Sequence, residues 1–379
     1  MLARHPWVYA DSIASVSGSP EAGAQVQVRD RSGAVLGWAL WSPGSVIRAR
    51  MLSFDEEEII WHGLFEDRFA QAGKHRERFV ADDTDSCRLV FGEGDGLPGL
   101  VVDKYGDYLA VTFTTGGTAA RAGEITDALV KVFGPAGIIA IEDPALERKE
   151  GFTHPCGVVS GSVPDELAVI ENGVKYEVGV HTAQRKMHYF DQRENRAAVA
   201  AIASGKMLDL CCYTGGFALN ALLHGKVELA LCVDSSAPAL SATEHNAALN
   251  GVGDKLGTLQ GDIAGVCSEL ARDGHSFGCV VLDPPKLAPD RRSIEPALKK
   301  YAVLNELAVS LVEPGGLFVT CSCSGLVREE QFLRSVAIGA ARAERTLRLI
   351  ELRGQAPCHP VSPFCPETMY LKCALFAVE

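Results

Sequence analysis

The sequence predicts an α/β protein: a doubly wound parallel sheet at the C-terminus, preceded by a β-rich domain and a small α+β domain. Two observations carry the sheet. Buried-type apolar runs at Lys206 to Leu210, Leu229 to Val233, Thr258 to Gln260, Cys279 to Leu282 and Leu317 to Cys321 read as strands. Helical stretches separate them, at about 216–224, 236–250, 264–273, 295–312 and 327–343, and such alternation builds a parallel sheet. The third observation concerns the N-terminus, where short β-like runs are split by Gly and Pro turns.

In chain order, the runs Gln25 to Val28, Val35 to Leu40 and Val46 to Met51 form the β-rich domain. Asp55-Glu56-Glu57-Glu58 is expected to open a helix reaching Phe79, with Ile59, Ile60, Leu64, Phe65 and Phe69 at helical spacing. The first domain is therefore drawn as residues 1–75. The second, 76–180, holds strands at Leu89 to Phe91, Gly99 to Asp103 and Tyr108 to Phe113 around a Gly92-Glu93-Gly94-Asp95-Gly96 turn. A helix near 120–133 and a strand at Gly137 to Ile141 follow. The doubly wound domain takes 181–379.

Hydrophobic residues make up 47% and charged residues 22%, which excludes a disordered chain. No apolar run approaches the ~20 residues of a membrane span, and the N-terminus has no apolar signal-like stretch, so a cytoplasmic protein without membrane contact is expected. Twelve cysteines without an export signal do not read as a disulfide framework, and no Cys-x-x-Cys pair suggests a metal site. The net charge of −12 counts against a uniformly basic nucleic-acid binder. A local groove is still open to Arg185-Lys186, Arg193/Arg196, Arg291-Arg292 and Lys299-Lys300, since affinity follows the phosphates that a patch neutralises. Each pair taken singly also fits a solvated surface.

In doubly wound sheets ligands bind beyond the carboxyl ends of the strands. The first strand ends Asp209-Leu210-Cys211-Cys212-Tyr213-Thr214-Gly215-Gly216-Phe217, where paired glycines allow a sharp turn close to a ligand. The second ends in Asp234-Ser235, and Gly261-Asp262 follows the third. Either acid could cap a helix, but two acids in register with a glycine turn fit the hydroxyls and the amino group of an adenosine. The fourth strand closes with Asp283-Pro284-Pro285-Lys286, a rigid loop suited to walling a planar base. The fifth ends Thr320-Cys321-Ser322-Cys323-Ser324-Gly325, and a thiol here invites a nucleophilic role.

In these motifs the chain resembles the bacterial 23S ribosomal RNA cytosine-5 methyltransferases that join a PUA domain to a class I (Rossmann-like) methyltransferase. The resemblance runs from Arg4-His5-Pro6-Trp7-Val8 through Glu93 to Leu100, Asp191-Gln192-Arg193-Glu194-Asn195-Arg196, Tyr213 to Phe217, Asp283 to Lys286 and Ser322 to Gly325. It ends with His359-Pro360 and Pro366 to Lys372. It implies S-adenosylmethionine as cofactor, held by Asp209, Tyr213, Gly215, Gly216, Phe217, Asp234, Ser235, Asp262, Asp283 and Pro284. It also implies large-subunit ribosomal RNA as partner, met by Gln192, Arg193, Lys286, Lys299 and Lys300, and it is compatible with a homodimer. Cys323 falls on the family nucleophile and Asp283 on the acid that faces the cytosine. The chain departs from the family at Lys186-Met187-His188-Tyr189-Phe190 and in having less sequence before His5-Pro6-Trp7, so that the first PUA strand could be missing. Cys321 is an extra thiol. Residues two apart in a strand point the same way, so spacing alone does not separate it from Cys323.

The chemistry explains the cysteine. Carbon 5 of cytosine is a weak nucleophile, and a thiolate adding to carbon 6 makes it enamine-like. Two other readings stay open. An amino-group methyltransferase acting on guanine or adenine would use Asp/Asn-Pro-Pro followed by an aromatic, where this chain has Lys286. A non-catalytic RNA-binding assembly factor would not need Asp234, Asp283 and Cys323 intact.

Overall fold

The computed structural model describes residues 4–57, 63–154, 156–180 and 188–379. Two compact units are formed. One holds the described residues within 1–169, 178–190 and 357–368, the other those of 170–177, 191–356 and 369–379.

The first unit begins with β1 (Trp7–Tyr9), β2 (Gln25–Arg29), β3 (Val35–Trp41) and β4 (Ile47–Ser53), an antiparallel sheet in the order β1-β4-β3-β2. Trp7–Tyr9 escaped the sequence reading because three residues are too few to show a period. They pair with Ile47 to Arg50 of β4, so the motif around His5-Pro6-Trp7 carries a strand. Val8, Ala39, Ala49 and Met51 form the small core of this sheet.

The helix expected from Asp55 is shorter. α1 spans Leu64–Phe79, and Asp55 to Glu57 lie outside it. The Ser53 hydroxyl instead donates to Asp55 Oδ2 and accepts from Asp55 N, a local arrangement that competes with helix initiation. Ile59 and Ile60 lie outside the described residues.

β5 (Cys87–Phe91), β6 (Leu100–Tyr105), β7 (Tyr108–Phe113), α2 (Gly116–Ala119), α3 (Ala122–Phe133), β8 (Gly137–Ala140), α4 (Pro144–Glu150) and β9 (Gly157–Gly161) follow. The strands form a second sheet, β5-β6-β7-β8-β9, parallel only between β7 and β8. Phe65 and Phe69 of α1 and Ile125 and Leu129 of α3 pack on Val90, Val102 and Val111. The glycine-rich turn after β5 has a structural explanation: Asp95 accepts from Arg76 Nη1 at 2.5 Å and Nη2 at 2.7 Å, and from Phe91 N at 2.6 Å. Arg76 Nε and Nη2 also donate to the carbonyls of Arg88 and Cys358.

After a hairpin of β10 (Glu166–Glu171) and β11 (Val174–Gly179) comes the doubly wound unit. Its elements are α5 (Arg193–Ile202), β12 (Ser204–Leu210), α6 (Gly216–His224), β13 (Lys226–Asp234), α7 (Ala237–Leu249), β14 (Leu256–Gln260) and α8 (Ile263–Arg272). β15 (Phe277–Leu282), α9 (Ile294–Ser310), β16 (Val312–Ser322), α10 (Glu329–Arg342), β17 (Leu347–Arg353) and β18 (Lys372–Val378) complete it. The seven-stranded sheet runs β14-β13-β12-β15-β16-β18-β17, with β18 antiparallel to both neighbours. Apolar side chains of one sheet face, among them Leu208, Val280 and Phe318, pack with those of α8, α9 and α10, including Tyr301 and Phe332, in its largest core cluster. All twelve cysteines are free. Among the described residues no helix is long and apolar enough to cross a membrane.

Arg76 and Asp95 are both almost fully enclosed. Removing one partner strands the other's charge, so Arg76→Ala is expected to cost roughly 3–5 kcal/mol. Trp7, Trp38, Trp41 and Trp61 all belong to the first 169 residues, so tryptophan fluorescence during urea unfolding follows that unit. A midpoint equal to wild type would show that the pair is not a structural anchor.

Candidate active site

The carboxyl ends of β12, β13, β15 and β16 bring most of the expected residues to one edge of the sheet. Between β12 and α6 the chain reverses through positive φ at Cys211 (61°), Tyr213 (52°) and Gly215 (81°). A Cβ on Gly215 would stand 2.8 Å from Thr243 Cγ2, and one on Gly216 only 2.5 Å from Arg196 Nε, so both positions exclude a side chain. Thr243 Oγ1 donates to Tyr213 O at 2.9 Å, and Asn220 Nδ2 donates to Gly216 O at 2.9 Å and to the Tyr176 hydroxyl at 3.0 Å. Phe217 is buried beneath the turn.

Asp209 is buried at the end of β12. Its Oδ2 accepts from Ala218 N at 3.2 Å, while Oδ1 has no hydrogen-bond partner among the described residues. Burial pushes its carboxyl up to about 7, with Asp283 and Asp234 adding to the rise. Asp234 accepts from Tyr213 N at 3.0 Å and from Ser236 N at 2.9 Å, so it ties the glycine turn to the end of β13. Ser236, not Asp234, caps α7, and Ser235 is exposed. Asp262 is exposed and caps α8, accepting from Gly265 N at 3.0 Å. Its alternative reading as a cap therefore describes its contact here.

Asp283 is half-buried, followed by buried Pro284. Gln192 Nε2 donates to its Oδ2 at 3.0 Å, and burial, aided by Asp191, lifts its carboxyl to about 7. Gln192 Oε1 in turn accepts from Asn195 Nδ2 at 2.6 Å. Two residues of the Asp191-Gln192-Arg193 motif expected to meet RNA are enclosed here: Gln192 is 3% and Arg193 1% exposed, and the Gln192 amide bonds Asp283 and Asn195. Arg196 is buried too, 2.6 Å from Glu171. Arg185 and Lys186 lie outside the described residues.

At the end of β16 the two thiols part company. Cys321 is fully buried opposite Cys373 of β18, and its thiol is pushed well up by burial and by that neighbour. Cys323 is half-exposed. It lies between Ser322 and Ser324, whose hydroxyls both bond the Tyr301 hydroxyl, at 2.9 and 3.1 Å. Ser324 Oγ also accepts from Leu287 N and Ala288 N, which fastens the Cys323 turn to the Asp283-Pro284-Pro285-Lys286 loop. Lys286, Arg292 and Lys300 line an open cleft of about 710 Å³ with Pro285, Leu287 and Pro289. Lys299 is exposed but does not line it.

Sequence reading did not single out Tyr301, Asn220 or Glu171, and it quoted Ser322, Ser324 and Lys372 within motifs without giving them the holding roles seen here. The Ser-Cys-Ser order was the one available signal, since small hydroxyl side chains on both sides of a thiol suit a hydrogen-bonded turn.

Comparison with known proteins agrees with this layout. The PUA-like domain family matches residues 1–54, and the S-adenosylmethionine-dependent methyltransferase family matches 145–375. The ribosomal RNA large subunit methyltransferase I of Aeromonas hydrophila is 37% identical over 378 residues, covering 98% of this chain and 95% of its own. That of Erwinia tasmaniensis is 35% identical over 376 residues, with the same coverage. A solved structure described as a SAM-dependent methyltransferase from Streptococcus mutans superposes with a TM-score of 0.83 over 99% of this chain and 96% of that one. It is 17% identical, a likeness of fold alone. Another, described as a methyltransferase complexed with SAH, gives 0.85 at 18% identity and the same coverage. The chain thus belongs to the S-adenosylmethionine-dependent methyltransferase family, in the group represented by ribosomal RNA large subunit methyltransferase I, with a PUA-like domain at its N-terminus and S-adenosylmethionine as its cofactor.

Proposed function

We propose that this protein methylates carbon 5 of a cytosine in large-subunit ribosomal RNA, in the cytoplasm, through a covalent adduct on Cys323. The observation that carries the reading is the pairing of a half-exposed thiol with a carboxyl poised near neutrality. Cys323 and Asp283 stand on turns that Ser324 fastens together, whereas Cys321 is packed against Cys373.

The site fits the cofactor. Asp209 Oδ1, buried and without a partner among the described residues, suits the ammonium of the methionine moiety, and Asp234 stands where the ribose hydroxyls would be met. Bound S-adenosylmethionine supplies an electrophilic methyl group. The protein's own residues prepare the base. The Cys323 thiolate adds to carbon 6, and the displaced π electrons make carbon 5 nucleophilic. Asp283, raised to about 7, carries or shares a proton with ring nitrogen 3 as the adduct forms. Once the carbon 5 proton has been removed by a base, carbon 6 expels the thiolate and the double bond returns. The target must leave its stack, at a cost of a few kcal/mol unless it is already single-stranded. The cleft beside the proline loop supplies cations for flanking phosphates and an apolar wall for a base.

RNA bearing 5-fluorocytosine at the target blocks that proton removal and should trap the adduct. Peptide mapping is expected to place it on Cys323. Cys323→Ala should abolish turnover with cofactor affinity near wild type, while Cys321→Ala keeps most activity. An adduct on Cys321, or normal turnover by the double variant, would contradict the reading and revive an amino-group methyltransferase.

Cofactor affinity should depend on pH. Because the Asp209 carboxyl is raised, its ionisation costs the native state stability as pH climbs from the ordinary carboxyl range near ~4 to about 7. A bound ammonium offsets that cost. Calorimetric affinity is therefore expected to fall about tenfold per pH unit below 7, and Asp209→Asn should flatten the profile. A flat profile in the wild type would remove Asp209 from the cofactor site.

Arg292→Ala and Lys300→Ala should each weaken RNA binding and shallow the slope of log affinity against log salt by about one. Lys299→Ala, off the cleft, serves as the control. Equal losses in all three variants would argue for diffuse attraction instead of a seated strand.

A further inference from the structure

Lys372 opens β18 opposite Ser322 of β16, and its long side chain turns back under the loop that leaves β16. The side chain is buried, and Nζ donates to Ser324 O at 2.8 Å, Val327 O at 2.9 Å and Tyr370 O at 2.9 Å. These three bonds match the three ammonium protons. Two of the three acceptors belong to the turn that begins at Cys323. Burying an ammonium is costly, and neutral donors could bond carbonyls without that cost. The positive charge itself is therefore the feature to explain.

The charged and titratable groups around Cys323 come from several elements. Lys372 belongs to β18, Tyr301 to α9, and Asp283 to the end of β15. Lys286, on the proline loop, and Glu329, at the start of α10, also act on Lys372. Of these, Lys372 is the cation held by hydrogen bonds against the thiol's own turn. Burial lowers its ammonium to about 8, and an anionic Cys323 works in the opposite direction, so the charge is in place near neutrality. The attraction is reciprocal: a thiolate that favours the ammonium is favoured by it to the same extent.

We propose that Lys372 is a positioning residue for Cys323, clamping the 324–327 turn while its fixed positive charge keeps the sulfur as a thiolate ready to add to the base. The proposal rests on the reading of Cys323 as nucleophile.

The full-length protein can be pulsed with iodoacetamide across a wide pH range and Cys323 alkylation followed by peptide mapping, since only the thiolate reacts. The wild type should show an inflection below the ~8.5 of an ordinary thiol. Lys372→Gln keeps donors but loses the charge. It should raise the inflection by about one unit or more and lower kcat about tenfold at pH 7, with KM for RNA nearly unchanged and activity regained in alkali. Lys372→Arg, which keeps the charge, should stay close to wild type. Equal inflections in Gln variant and wild type would overturn the proposal. So would a wild-type inflection at the ordinary thiol value, a result that needs no variant to fold. The 5-fluorocytosine adduct separates the two levels. An adduct on wild-type Cys323 with an unmoved alkylation profile rejects Lys372 alone, whereas no adduct on Cys323 rejects the nucleophile beneath it.

Discussion

Carboxyl groups gathered at one edge and shielded from water repel one another and resist ionisation, and this edge of the sheet is organised around that cost. Asp209 and Asp283 close β12 and β15, which are hydrogen-bonded neighbours. Burial raises both, and Asp283 adds to the rise at Asp209. Arg196 works against the rise at both acids. Burial opposes the charge of that arginine, but the buried Glu171 carboxylate, 2.6 Å away, more than offsets the penalty. The countercharge needs room. Gly216 must lack a Cβ because Arg196 lies directly beneath it, and Tyr176 steadies the same turn through Asn220. A glycine, an arginine and an acid from the β10–β11 hairpin are thus parts of one electrostatic solution.

The edge that manages buried acids also separates two thiols of similar sequence setting. Cys321 and Cys323 share a strand direction, and accessibility distinguishes them. The antiparallel β18 covers Cys321 with Cys373, while β16 ends at Ser322 and frees the next residue. Tyr301 then grips both flanking serines, and Ser324 reaches the proline loop. The difference in exposure follows from where a strand stops pairing.

Much of this was legible in the sequence for a simple reason. Parallel strands buried on both faces are apolar runs, so their ends can be located in the sequence; Asp209, Asp234, Asp283 and Cys323 were placed at or near strand ends that way. What was not legible has equally physical causes. β17 is an edge strand bearing Arg348, Glu351 and Arg353, so it lacks a buried strand's signature. The start of α1 was misread because acids suggest a first turn, whereas Ser53 and Asp55 satisfy each other locally. The burial of Arg193 and Arg196 was not foreseen, since charge in a motif says nothing about burial. Partners distant along the chain are invisible to spacing: Gln192 and Asp283 are 91 residues apart, and Lys372 and Ser324 are 48 apart.

The central claim is that this edge activates a pyrimidine carbon rather than an exocyclic amine. The most direct measurement supplies methyl-labelled S-adenosylmethionine with large-subunit ribosomal RNA, free and in particles, then digests the RNA and identifies the labelled nucleoside by mass spectrometry. The account predicts label in 5-methylcytidine. Label on an amino group of guanosine or adenosine would contradict it.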